Sequence, residues 1–221
     1  MPARVYSCAV LGLEGVLVEV EVDFAGGFGY FTVVGLPDTT VKESRERVRA
    51  AIKNIPSDFP RKSIVINLAP ANVRKEGPAY DLPMAVGILI ITGIIPHGAV
   101  DDLLIVGELS LDGTVRHTPG LLSKAALARE EGFKGICVPA ADAAEAALVP
   151  GLQVLPVHTL DQLTQHLIGM ELITPHKNTS IQELPVQKTQ TDFQEIKGQE
   201  HVKRALEVAA AGNHNVLICR T

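Results

Sequence analysis

The chain has 221 residues, of which 46% are hydrophobic and 20% charged, and its mean hydropathy is +0.20. A chain of this length and composition can bury a substantial core, which excludes disorder along its whole length. Twenty lysines and arginines against twenty-five aspartates and glutamates give a formal charge of −5. An anionic partner would therefore have to be bound by a local basic patch, because the net charge repels it.

The cysteines and the termini bear on the cellular compartment. Cys8, Cys137 and Cys219 are odd in number and far apart, which excludes a disulfide framework and a CxxC metal-binding pair. The N-terminal residues lack the basic and apolar regions of a secretory signal. The most apolar stretch, residues 82–95, is shorter than the roughly 20 residues that span a bilayer. We expect a cytoplasmic protein without membrane association, in which this stretch is a buried helix.

The first third of the chain alternates between apolar and polar residues, as β-strands do. Residues 16–23 place valines on one side, and residues 30–34 are rich in aromatic and β-branched side chains. Residues 25–29 contain three glycines and favour a turn between these runs. The two strands are therefore predicted to pair as a hairpin.

A helix is predicted over residues 41–55, between the capping candidates of residues 36–40 and Pro56. At 100° per residue its apolar side chains share one arc. A basic stripe lies beside that arc and consists of Lys42, Arg45, Arg49 and Lys53.

Strands and helices alternate in the middle of the chain. A buried strand is predicted at residues 62–68, and Asp81 is expected to cap the apolar helix that follows. Further strands are predicted at 103–109, 135–138 and 153–157, and helices at 121–131, 141–148 and 159–169. This order predicts an α+β or mixed α/β domain over residues 1–172.

The composition changes after this domain. Residues 173–191 are polar, have no periodic apolar face, and are predicted to be a linker. A helix from about residue 200 to 211 and a strand over residues 215–219 are expected next. One helix and one strand cannot bury a core, so residues 192–221 are interpreted as the start of a further domain.

Residues 68–81 contain the densest motif in the chain. A strand leads through a Gly-Pro loop into a helix N-terminus, where free backbone N–H groups can meet an anion or a developing oxyanion. A plain strand-to-helix connection is the alternative interpretation of these residues.

Several motifs, taken in chain order, resemble the ComM-like proteins, a group of AAA+ ATPases also labelled the magnesium chelatase subunit I (ChlI) family. They include Gly35-Leu-Pro-Asp, Asn67-Leu-Ala-Pro-Ala, Arg74-Lys-Glu-Gly-Pro-Ala-Tyr-Asp, Gly107-Glu-Leu-Ser-Leu-Asp-Gly and Phe193-Gln-Glu-Ile-Lys-Gly-Gln-Glu. The resemblance implies an α+β N-terminal domain like domain 2 of ribosomal protein S5 and the proteolytic domain of Lon. It also implies a linker and then the start of an AAA+ module. In intact relatives it implies a hexameric ring that uses ATP and magnesium to process DNA during uptake and recombination.

The Lon likeness bears on peptidase activity. Lon-type enzymes carry the serine nucleophile in a Lys-Asp-Gly-Pro-Ser-Ala-Gly loop, and a later lysine accepts its proton. The matching run here places Ala79 at the serine position, and the later segment places Lys124 at the lysine position. The resemblance therefore implies no catalytic residue. A peptidase that uses Ser110 or Ser123 with Lys124 is the enzymatic alternative.

The chain also lacks a motif that ATPases of this kind need. A Walker A loop needs Gly-Lys-Ser/Thr, and none of the nineteen glycines is followed by lysine. Ile196, Gly198 and Gln199 resemble the segment that borders adenine in AAA+ modules, but alone they are not expected to bind ATP. We therefore expect no cofactor in this chain.

DNA is a possible partner, since the basic stripe could neutralise phosphates without reading sequence. A solvated helix face with internal pairs such as Glu46 with Arg49 is the alternative. The seven histidines are scattered, so no metal site is expected, and His117 and His214 are interpreted as loop residues. The sequence thus predicts a non-catalytic interaction or regulatory domain of a ComM-like AAA+ protein, and a stand-alone DNA-binding module stays open.

Overall fold

The computed structural model describes residues 2–56, 59–177 and 193–219. Contacts divide the chain into two units, Met1–Ile181 and Gln182–Thr221. The strands are β1 Ala3–Leu11, β2 Glu14–Phe28, β3 Phe31–Val34, β4 Lys62–Ala69, β5 Leu103–Ile105, β6 Glu108–Leu109, β7 Val115–Arg116, β8 Gly135–Pro139 and β9 Gln153–Val157. The α-helices are α1 Thr39–Lys53, α2 Asp81–Ile91, α3 Leu121–Glu130, α4 Ala143–Ala146, α5 Leu160–Leu167 and α6 Glu200–Gly212.

The first unit is built on a seven-stranded sheet in the order β3-β4-β2-β1-β5-β8-β9. Four of its six strand pairs are parallel, and β2 pairs antiparallel with both β1 and β4. After β3, helices alternate with the strands of this sheet, and the two short strands β6 and β7 form a separate sheet between β5 and α3. Of the two predicted classes, the mixed α/β arrangement is therefore the one observed.

The hairpin predicted between residues 16–23 and 30–34 is wrong. Instead, β2 forms a hairpin with β1, in which Leu11 lies opposite Glu14. Strand β4 lies between β2 and β3 and pairs with both. A buried strand such as β4 satisfies its backbone groups on two edges, which suits the centre of a sheet. The alternating pattern of β2 and β3 fits either pairing, because it shows which side chains face the core but not which strands lie next to each other.

Helices α1 and α2 pack together against one part of the core. The side chain of Asp38 caps α1 by accepting a hydrogen bond from the Val41 amide, 2.7 Å away. Every residue of α2 from Asp81 to Ile90 is buried, as its apolar composition predicts. The prediction that Asp81 caps α2 is wrong, because Tyr80 occupies that position and the Asp81 carboxylate pairs with Arg47 instead.

The core has two apolar clusters, and consecutive residues of β8 belong to different ones. Cys137 belongs to the cluster that contains α1 and α2, whereas Ile136 and Val138 belong to the cluster that contains α3 and α4. Successive side chains of a strand point to opposite faces of a sheet. The sheet is therefore covered on both faces, as largely parallel sheets are.

The first unit continues into residues that composition assigned to the linker. Ile173 is buried in the core, and the His176 amide donates to the Val154 carbonyl over 2.8 Å. Residues 178–191 of the predicted linker lie outside the described residues.

The second unit contains a turn of 3₁₀-helix, Phe193–Glu195, and α6. The strand predicted at residues 215–219 is not formed, and no partner strand lies among the described residues of this unit. A lone extended segment leaves its backbone groups unpaired, so it does not become a strand. In the described residues of the chain, no helix is both long and apolar enough to cross a membrane.

Candidate functional site

A cavity of about 250 Å³ lies in the first unit, where β1, the Gly-Pro loop before α2 and the loop before α3 meet. Ala79 and Lys124 both line it, although they are far apart in the sequence. The structure thus brings together the two positions that the Lon resemblance assigned to a serine and a lysine. Cys8, Tyr80, Glu108 and His117 also line the cavity, among other residues.

The loop that carries Ala79 is fixed at both sides. Gly77 has φ of 78°, a conformation that residues with a Cβ rarely adopt. Its amide donates to the second carboxylate oxygen of Asp38, 3.2 Å away, so the residue that caps α1 also holds this loop. The carbonyl of Ala79 accepts from the Gly107 amide over 2.9 Å. Ala79 is therefore positioned by backbone contacts that do not depend on its own side chain.

Lys124 is a buried amine on α3, with 5% of the residue exposed. Its Nζ donates to the Pro119 carbonyl oxygen, 2.8 Å away. Burial lowers the pKa of Lys124, and the nearby Cys8, Glu145 and Asp142 oppose that effect. Within the described residues no carboxylate forms an ion pair with this amine. The neutral form of the Lys124 amine is therefore more favoured than the neutral form of an exposed lysine.

The Cys8 thiol lines the same cavity but is held as a thiol. Its Sγ donates to the Ala9 carbonyl oxygen over 3.0 Å. Burial raises its pKa to about 11, against the opposing effects of a backbone hydrogen bond and of Lys124. Because the thiolate is the nucleophilic form, Cys8 is poorly suited to attack a substrate at neutral pH.

His117 and Asp142 form a pair that the sequence did not reveal. His117 Nδ1 lies 2.5 Å from Asp142 Oδ1, and the other oxygen of this nearly buried carboxylate accepts from the Thr118 amide at 2.9 Å. The loop position predicted for His117 is correct, but its ring also lines the cavity. The two residues are 25 positions apart and belong to no motif. Only folding could identify this pair.

A second pair, of which only the carboxylate is fully buried, joins α1 to α2 beside the Gly-Pro loop. Arg47 Nε and Nη2 donate to the two oxygens of Asp81 over 2.6 and 3.1 Å, and the Leu109 amide donates to Asp81 over 3.2 Å. Burial raises the pKa of Asp81, while the hydrogen bonds from Arg47 and Ser44 oppose this change. The pair anchors the first residue of α2, two positions after Ala79.

The serines of the enzymatic alternative are engaged elsewhere. The Ser110 hydroxyl bonds to Asp112 and to the Thr114 carbonyl, and the Ser123 hydroxyl donates to the Leu13 carbonyl over 2.8 Å. Among the described residues, neither hydroxyl hydrogen-bonds to Lys124, and neither lines the cavity.

The basic stripe on α1 is divided between solvent and protein. Lys42, Arg45 and Lys53 are exposed, whereas Arg49 is half-buried. The Arg49 guanidinium lies 5.0 Å from the centre of the Phe59 ring, and Arg45 donates to the Phe31 carbonyl over 3.3 Å. The two lysines are therefore the members of the stripe with the greatest freedom to meet a phosphate.

The predicted adenine segment lies in the second unit just before α6. Ile196, Gly198 and Gln199 are all exposed, and Gly198 and Gln199 have φ values of 75° and 58°. Their role in binding adenine stays a prediction. In the part of the chain that is described, no three His, Cys, Asp or Glu side chains are grouped as metal ligands.

Comparison with known proteins identifies two family matches. The family model "Subunit ChlI of Mg-chelatase" matches residues 20–142, and "Magnesium chelatase, subunit ChlI" matches residues 192–221. The competence protein ComM of Haemophilus influenzae is 39% identical over 218 residues, covering 97% of this chain. YifB of Escherichia coli, described as uncharacterized, is also 39% identical over 214 residues and 97% of the chain. The chain spans 42% of the length of each of these relatives.

A more distant similarity extends to proteases. The Lon protease of Azospirillum brasilense is 27% identical over 192 residues, which cover 80% of this chain and 23% of the protease.

Proposed function

We propose that the first unit is a non-catalytic interaction domain of an AAA+ ATPase. The reason is that the chain belongs to the magnesium chelatase subunit ChlI family, as a ComM-like member. In this proposal residues 1–172 form a domain of the S5 domain 2 and Lon type. Residues 192–221 are the start of the ATPase module. The domain would dock on the ring of an intact relative or engage the polymer on which that ring acts.

The observation that carries this proposal is that Ala79 and Lys124 line the same cavity. Acyl transfer by a serine-lysine pair needs a hydroxyl within hydrogen-bond reach of the amine. A methyl group supplies neither a lone pair nor a proton, so the cavity cannot form an acyl-enzyme at residue 79. The distant similarity to Lon supports the Lon type of the domain.

Labelling with a fluorophosphonate that reacts with activated serines tests the absence of peptidase activity. We expect no labelling of the native chain above that of a heat-denatured control. The matched variant Ala79→Ser places a hydroxyl at residue 79, in the lining of the cavity that Lys124 also lines. If any variant is labelled more strongly than the native chain, it should be this one. Labelling of the native chain at Ser110 or Ser123 that disappears in Lys124→Arg would favour the peptidase instead.

The ATPase part of the proposal concerns the longer relatives, of whose length this chain spans 42%. ATP and magnesium would act in the complete module, within a ring of identical subunits, and not in the residues of this chain. Titration calorimetry with magnesium and ATP should therefore show no micromolar binding to these 221 residues. Micromolar affinity would overturn the proposal that residues 192–221 cannot bind nucleotide alone.

DNA binding by α1 is a second candidate, favoured by the exposure of Lys42 and Lys53 on one helix. Removing both charges in Lys42→Ala/Lys53→Ala should weaken DNA binding and reduce the salt slope by about 2, since each phosphate contact contributes about 0.9. Lys134→Ala removes a charge elsewhere on the surface and is the control. An unchanged slope in the double variant would exclude α1 from DNA binding.

A further inference from the structure

The cavity beside Ala79 contains a reactive group that the proposed function does not use. Lys124 lines this cavity and is nearly buried, and among the described residues its Nζ has only the Pro119 carbonyl as a hydrogen-bond partner. A buried lysine that served as a structural cation would need a carboxylate partner, because an unpaired buried charge is costly. In the described part of the chain Lys124 forms no ion pair, and the nearby Glu145 and Asp142 only oppose the effect of burial, so its surroundings tolerate the neutral amine.

The charges around the cavity favour a neutral ligand. Glu76 pairs with Arg74 over 3.2 Å, and Glu108 pairs with Arg116 over 3.7 Å. Each of these two lining carboxylates is thus paired with an arginine outside the lining, so neither is left to hold a cation. The remaining walls are largely apolar and include Ala9, Val10, Ala79 and Tyr80. A volume of about 250 Å³ admits a small organic molecule.

We propose that this cavity captures small aldehydes or ketones, with the Nζ of Lys124 forming a reversible imine with the carbonyl carbon. The neutral amine attacks the carbonyl, and a carbon–nitrogen bond forms as the carbonyl oxygen takes up a proton. Loss of that oxygen as water then gives the imine, so one carbonyl compound is bound and one water is released. No oxidant or reductant is needed. The lowered pKa of the buried amine increases the fraction that can attack at neutral pH.

His117 can assist the loss of water. It lines the same cavity, is 68% exposed, and is held by Asp142 through Nδ1. Its imidazole is the lining group with which a proton could be passed to the departing hydroxyl. This inference goes beyond the proposed function, since capture by Lys124 would neither create a hydrolase nor bind DNA.

Reductive trapping tests the proposal on the whole chain. The protein is incubated at pH 7 with increasing propanal and sodium cyanoborohydride, and the alkylated lysines are mapped by mass spectrometry of chymotryptic peptides. We expect Lys124 to react at least roughly fivefold faster than exposed lysines such as Lys42, as an amine activated by desolvation should. Its rate should saturate with propanal, whereas the rates of exposed lysines should rise linearly.

Lys75 provides an internal control. It is fully buried, burial also lowers its pKa, and its amine donates to the Pro70 carbonyl, but it does not line the cavity. It should stay unmodified in the native protein. Equal labelling of Lys75 and Lys124 would show that a lowered pKa alone explains the reaction, and the cavity would lose its role.

Two variants complete the test. Ala79→Val adds bulk to the lining of the cavity and should slow trapping at Lys124 without changing the rate at Lys42. His117→Gln should slow trapping at Lys124 and leave its saturation concentration unchanged. Circular dichroism of each variant establishes that it is folded. The proposal is overturned if native Lys124 reacts no faster than Lys42, or if its rate does not saturate.

Discussion

Replacing Arg47 with methionine should destabilise the first unit substantially. The Asp81 carboxylate is fully buried and accepts three hydrogen bonds of 3.2 Å or less from its neighbours, two of them from Arg47. Methionine fills much of the same space but removes both hydrogen bonds from Arg47, so the carboxylate keeps only neutral donors, the Leu109 amide and the Ser44 hydroxyl. Breaking a buried ion pair from one side costs about 3–5 kcal/mol. Arg47 retains 20% exposure of its side chain, so we expect the lower end of this range.

A double-mutant cycle separates the pair from the packing around it. Asp81→Asn should cost less, about 1–2 kcal/mol, because Arg47 still reaches the Thr40 carbonyl and the Ser44 hydroxyl. The double variant Arg47→Met/Asp81→Asn removes both charges, so its cost should fall short of the sum of the single costs by at least about 1 kcal/mol.

Urea unfolding followed by circular dichroism measures these free energies, provided that the slope against urea is the same in all variants. The reasoning fails if Arg47→Met costs less than about 1 kcal/mol, since a buried carboxylate that had lost its partner could not be so well tolerated. It also fails if the single costs add, because the two side chains would then act independently.

Three further predictions concern a buried amine, the three thiols and a glycine with positive φ. Burial lowers the pKa of Lys124 below its unfolded value of 10.5, so between the two pKa values the unfolded state binds more protons than the folded state. The free energy of unfolding should therefore increase as pH rises through that window. Urea unfolding should show a smaller increase in Lys124→Met. Thiol titration of the native protein should detect Cys219 first, because Cys8 and Cys137 are buried with pKa values raised to about 11 and about 12. Gly35→Ala should lower the melting temperature strongly, since φ is 96° and a Cβ would lie 2.2 Å from a backbone oxygen.

Most of the helices and several strands could be predicted from local patterns. The apolar arc of α1 is buried as expected, and the predicted strand at residues 153–157 has the same bounds as β9. These predictions succeed because a helix with one buried face, or a buried strand, leaves a pattern of apolar residues within a short stretch of the sequence. The strand β1 was not predicted, and the pairing of β2 with β3 was predicted wrongly.

The site was predictable only as separate positions. The family resemblance singled out Ala79 and Lys124, and the basic stripe was visible from helical spacing. The engagement of Arg49 with Phe59, the pair of His117 with Asp142, and the pair of Arg47 with Asp81 were not predictable. Each joins residues that no periodic pattern connects.

The sequence by itself determined the family, the elements that bury an apolar face, and the alanine at residue 79. Only the tertiary structure decided that β4 separates β2 from β3, and that Ala79, Lys124 and His117 line one cavity. The reason is physical: faces and caps depend on neighbours within a few residues, whereas strand order and cavities depend on contacts between distant segments. Those contacts form only when the whole core is packed.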